Sequence, residues 1–151
     1  MLKGIHPLLN ADVLYALRAM GHGDDLVTVD TNFPADSVAR QTRLGKLLRI
    51  DNTTSAEAAA AILSVFPLDT FVDDAAARME IVGKPNEIPP VQKEVQKVID
   101  KAEGKSWPMT SIERHAFYER AKQAFCVIQT GERRFYGCFA FRKGVIPPDA
   151  G

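Results

Sequence analysis

Stretches with helical apolar spacing alternate along this chain with short β-branched or aromatic runs. That alternation constrains the fold more than any other feature. Asn10 can cap a helix over about 11–20, in which Val13, Leu14, Leu17 and Met20 recur at helical spacing and Gly21 supplies a stop. Asp25 to Asp30 reads as a strand, and Thr31-Asn32-Phe33-Pro34 as a loop. Leu47 to Asp51 is a second strand candidate. Thr54-Ser55-Ala56-Glu57 is a capping box before an alanine-rich helix to Phe66, which Pro67 ends. Arg78 to Val82 is a third strand candidate. Pro89 or Pro90 opens the next helix, with Val91, Val95, Val98, Ile99 and Ala102 on one face and Gly104 closing it. Thr110-Ser111-Ile112-Glu113 reads as a second capping box, opening a helix to about Lys122. Ala124 to Thr130 and Phe135 to Phe141 flank Gly131-Glu132-Arg133-Arg134, as a hairpin or a short crossover. The pattern predicts an α/β layered fold, and 151 residues fit a single domain spanning 1–151.

Composition narrows the function classes. Lys and Arg number 19 and Asp and Glu number 19, a balance that argues against nucleic-acid partners. The first residues lack the charged segment and apolar run of a secretory signal, and no stretch approaches the ~18 apolar residues of a membrane helix. Cys126 and Cys138 are not in CxxC spacing and lie in apolar segments, so they read as buried, inert thiols. The expected location is cytoplasmic, with no membrane association. His6, His22 and His115 form no HxxxH or HExxH pair, so no metal site is expected. No P-loop, no GxGxxG after a strand and no nucleophile elbow is present.

Three constellations can carry chemistry. His22 sits in a Gly21-His22-Gly23-Asp24 turn between a helix and a strand. There it can titrate near neutrality and shuttle protons, or be an ordinary surface histidine. Asp30 follows at the C-terminal end of that strand, where open α/β sheets bind ligands. On the predicted helix after Glu113, Arg114, Phe117 and Tyr118 share a side. An Arg and a phenol there can hold a polyhydroxylated ligand, or Phe117 and Ala121 can form a core face beside solvated charges. Tyr136-Gly137-Cys138 lies in an apolar run, where glycine marks either a bulge open to ligand or a twisted edge strand.

These segments together resemble the fucose mutarotase branch of the family that also contains ribose pyranase. The resemblance runs from Met1-Leu-Lys-Gly-Ile-His-Pro-Leu-Leu through Met20-Gly-His-Gly-Asp-Asp, Asp30 and Phe33-Pro34. It resumes at Arg114-His-Ala-Phe-Tyr-Glu-Arg-Ala, Ala124-Phe, Thr130-Gly-Glu-Arg, Tyr136-Gly137 and Lys143-Gly-Val. It implies a layered sheet with helices on both faces. It also implies interconversion of the anomers of a reducing monosaccharide, without cofactor or metal. His22 falls on the family's catalytic histidine. Asp30, Arg114 and the segment Tyr136, Gly137 and Cys138 fall on its substrate-binding positions, with Tyr118 a further candidate. Asp30 would bind hydroxyls or orient the imidazole. The resemblance also implies ring-shaped homo-oligomers, pentamers or decamers, with sites at subunit interfaces. An alternative function is a non-catalytic monosaccharide-binding protein supporting transport. Two departures stand out. Cys138 occupies a position where the family's motif usually ends in Asn, and Phe71 stands where a tyrosine is common.

Overall fold

The computed structural model describes residues 1–150. Eleven elements alternate: α1 (Ala11–Ala19), β1 (Asp25–Val29), α2 (Ala35–Ala39), β2 (Leu48–Ile50), α3 (Ser55–Leu63), β3 (Ala76–Met79), α4 (Pro90–Glu103), β4 (Thr110–Ile112), α5 (Arg114–Gln123), β5 (Cys126–Thr130) and β6 (Phe139–Arg142). The strands form one mixed sheet in the order β2-β5-β1-β6-β3-β4. β6 runs antiparallel to both of its neighbours, and the other pairings are parallel.

Alternating side chains on the strands explain why both faces are covered. Leu26, Cys126, Ile128, Phe139 and Phe141 point to one core with Val13 and Leu17 of α1, Ala58 and Ile62 of α3, and Val95 and Ile99 of α4. Val27, Val29, Val127 and Ala140 point to the other, with Val38 of α2 and Phe117 and Ala121 of α5. Helices therefore lie on both faces, as the resemblance implies.

Local signals held where the backbone needed a partner. Asn10 accepts from the Val13 amide, and Thr54 and Glu57 form both bonds of the capping box. Pro90 opens α4, and Gly104 closes it in the left-handed region.

Three expectations are corrected and one open choice is decided. Thr110–Ile112 is not a helix cap but the edge strand β4, drawn into the sheet by pairing with β3. The cap of α5 is Glu113, whose carboxylate accepts from the amides of His115 and Ala116. Of the hairpin and crossover alternatives between β5 and β6 the hairpin falls, because the connection crosses β1, which is inserted between them. The third strand lies at Ala76–Met79, two residues before Arg78–Val82, because Ile81 turns back to bridge Lys84. Tyr136 precedes β6 in a turn with φ of 63° rather than lying within a strand.

One ion cluster ties three elements together. Asp25 at the start of β1 accepts from both Arg120 of α5 and Arg142 of β6. Burial opposes its ionisation, but the hydrogen bonds from Arg120 and Arg142 outweigh it and hold the carboxyl below its ordinary range. A depressed carboxylate pKa stabilises the fold above the unfolded value, near ~3.9, and that contribution is lost as pH falls through the folded value. Asp25→Asn should therefore lose about 3 kcal/mol at neutral pH. Its stability should then fall less steeply with acid than the parent's below about pH 4. Urea unfolding followed by circular dichroism at pH 7, 5 and 3 measures both slopes.

Candidate active site

The loop between α1 and β1 is fixed from outside itself. Gly21 donates its amide to the Asp24 carboxylate at 2.8 Å, and Gly23, with φ of 88°, donates to the Lys143 carbonyl at 2.9 Å. Lys143 also donates its ammonium to the carbonyls of Leu17 and Met20, the free C-terminal end of α1. Burial and the nearby Arg18 charge lower the Lys143 pKa.

His22 projects from this turn, 46% exposed, with Nε2 3.2 Å from Oδ2 of Asp69. Asp69 is buried, and its other oxygen accepts from the Phe71 amide. A carboxylate only accepts, so in the neutral imidazole Nε2 carries the proton and Nδ1 holds the free lone pair. The Phe71 ring stands edge-on to the imidazole at 5.4 Å. The sequence pointed to His22, and marked Phe71 as a departure from the tyrosine common in the family it resembles. It offered no signal for Asp69, which lies 47 residues away.

The other candidates gather at the opposite end of β1. An open cleft of about 220 Å³ is bounded by Asp30, Arg114, Tyr118, Tyr136 and Cys138, with Phe33, Met79 and Phe135 as its apolar wall. Asn32 completes the rim. Sequence reasoning missed the apolar wall, because residues of that type also fill cores. Phe117 faces the core while Arg114 and Tyr118 face the cleft, so the helix serves both readings at once. Arg114 donates from Nε to the Tyr118 hydroxyl at 3.1 Å, which raises the guanidinium pKa.

Asp30 does not reach His22. Five residues of β1 intervene, roughly 16 Å of extended chain. Its Oδ1 accepts from the amides of Asn32 and Phe33. Its Oδ2 accepts from the Gly137 amide at 3.1 Å and the Cys138 thiol at 3.5 Å. Within one chain the imidazole's carboxylate is thus Asp69, and Asp30 organises the cleft. Burial, with the Asp30 charge adding to it, pushes the Cys138 thiol well above its ordinary pKa, and burial alone pushes Cys126 up to about 12. Both are free, buried thiols, as expected. No three His, Cys, Asp or Glu side chains converge among the described residues to hold a metal ion.

The model of the RbsD / FucU transport protein family matches residues 3–146. The chain belongs to this family. A zebrafish (Danio rerio) relative named fucose mutarotase is 42% identical over 154 residues, covering 99% of this chain and 97% of its own length. A solved structure provisionally described as a sugar-binding protein is 67% identical, with a TM-score of 0.95 and 97% of each chain covered. A fucose mutarotase from Streptococcus pneumoniae, solved with L-fucose, is 34% identical with a TM-score of 0.86, covering 97% of this chain and 100% of its own. Among the described residues no helix is long and apolar enough to cross a membrane.

Gly137 shows why this family member cannot carry a side chain there. A Cβ would sit 2.8 Å from Cγ of buried Glu132, 2.9 Å from the Ser55 hydroxyl and 3.4 Å from Cβ of Asp30. Gly137→Ala should lose about 1–3 kcal/mol of stability. It should also disturb the cleft floor, because the Asp30 bond to this amide is made beside the crowded Cβ position. Thermal melts and sugar titrations check the two effects.

Proposed function

We propose that this protein is a mutarotase that interconverts the α and β anomers of L-fucose or a closely similar aldose, without a cofactor. The observation that carries the reading is the His22–Asp69 pair, a half-exposed imidazole whose Nε2 proton is held by a buried carboxylate. Its free Nδ1 can take the proton from the anomeric hydroxyl and, as imidazolium, deliver it to the ring oxygen. The bond between the anomeric carbon and ring oxygen then breaks, the aldehyde group turns, and the ring closes on its other face. One proton leaves and one arrives, so the sugar's net composition is unchanged. Asp69 stabilises the imidazolium formed on the way.

In this proposal the cleft holds the sugar. Arg114, Tyr118 and Tyr136 offer hydrogen bonds to ring hydroxyls, with the Tyr136-Gly137-Cys138 backbone beneath. Phe33, Met79 and Phe135 suit the apolar side of a deoxy sugar. Because His22 and the cleft lie at opposite ends of β1, a complete site would take the imidazole from one copy and the cleft from a neighbour. Phe71 beside His22 and Phe135 beside the cleft are 70% and 73% exposed, which supports burial of both between copies. A ring of five, or two such rings, meets that need. The free thiols of Cys126 and Cys138 support a reducing cytoplasmic location.

Magnetisation exchange between the anomeric protons of L-fucose tests the reading. Added protein should accelerate exchange, and no acceleration at saturating sugar would sink it. Sugar binding without exchange would make the protein a sugar-binding component instead. His22→Ala should still bind sugar and lose about 10²-fold or more of the exchange rate. Asp69→Asn should retain binding and lose about ten- to a hundredfold, the worth of one charge-assisted hydrogen bond.

A further inference from the structure

We infer that Gln92, a residue outside the cleft, is a positioning residue that sets the sugar-binding geometry of Tyr136. Gln92 lies in the first turn of α4 and is fully buried. Its Nε2 donates to the Met79 carbonyl at 2.7 Å and to the Tyr136 carbonyl at 3.1 Å. Its Oε1 accepts from Arg78 at 3.1 Å, and Arg78 donates its other arm to the Pro85 carbonyl. Arg78 can only donate, so the amide has one possible orientation, with the oxygen toward Arg78 and both N–H groups toward the two carbonyls.

Those two carbonyls belong to two different segments that line the cleft. Met79 ends β3, Tyr136 precedes β6, and both side chains line the cavity. The Met79 amide in turn donates to the Cys138 carbonyl. One buried amide therefore joins the strand that carries Met79 to the turn that carries the phenol.

Tyr136 needs such a clamp. Its φ of 63° is unfavourable for a residue with a side chain and persists only where surroundings over-determine it. On its far side the Tyr136 hydroxyl accepts from the Val82 amide at 3.3 Å. The backbone end is pinned by Gln92 and the phenol end by Val82, which fixes the ring against the cleft. An unfavourable conformer held by a satisfied buried amide relaxes when the amide is removed. The ring would then leave the position that a sugar requires. Gln92 touches neither His22 nor Asp69, so proton transfer should be spared.

This inference rests on the sugar site proposed above. Its test is Gln92→Met, similar in length but without hydrogen-bonding groups. L-fucose exchange is measured across sugar concentration, together with equilibrium binding. The expected result is a KM and a Kd raised about tenfold with kcat within about twofold of the parent. Gln92→Glu, which turns an acceptor toward two carbonyl oxygens, should raise Kd further. The Arg78 side chain does not line the cleft and holds Gln92 in place, so Arg78→Met should raise Kd in the same direction, and the double variant should add little. A cooperative melt establishes folding. If Gln92→Met does not fold, Arg78→Met decides. An unchanged Kd in a folded variant, or a loss confined to kcat, overturns the inference. If the parent binds L-fucose without exchange, the mutarotase reading fails while the Kd comparison still judges Gln92.

Discussion

β1 sits between strands of opposite direction and is buried on both faces, and the rest of the molecule is arranged around that placement. Leu26 feeds one core while Val27 and Val29 feed the other. A strand so covered has no free face for chemistry, so only its two ends are available. One end carries the His22 turn and the other carries Asp30. The separation of the His22 imidazole from the cleft is thus a consequence of where this doubly covered strand must lie.

Buried polar groups then fix the loops at those ends. Pairing spares each of them a cost of about 1–3 kcal/mol. Asp30 satisfies four donors and gathers the Asn32, Phe33 and Gly137 backbones into one floor. Burial opposes ionisation of Glu132, but the Arg134 guanidinium and the Ser55 and Arg134 amides outweigh it and lower its pKa. That pairing anchors the turn preceding Tyr136 to the start of α3 and, through Arg134 and Glu94, to α4. Asp69 plays the same part at the other end, joined to the backbone of Phe71 and, by its own amide, to Arg142.

Much of this was legible in the residues. The caps at Asn10 and Thr54, the helical faces and the β-branched runs are local signals, and the chain obeys them. Thr110-Ser111-Ile112-Glu113 misled because a capping box and a short edge strand use the same residue types. Only the presence of β3 beside it decides between them. The choice between hairpin and crossover stayed open for a related reason, since adjacency in sequence carries no information about a third strand inserted between two others. Asp69 and Gln92 left no mark in the sequence, because a single acidic or amide residue has meaning only through a partner many residues away.

By itself the sequence determined most of the helices and strands, the α/β layering, and that the Gly-His-Gly-Asp turn presents an imidazole. Those properties follow from side-chain shape, apolar period and backbone freedom within a few residues. Only the tertiary structure decided that Asp69 rather than Asp30 holds that imidazole, and that the cleft opens at the far end of β1. Hydrogen bonds between distant residues exist only after the strands have been ordered, and the strand order is set by burial of the whole sheet.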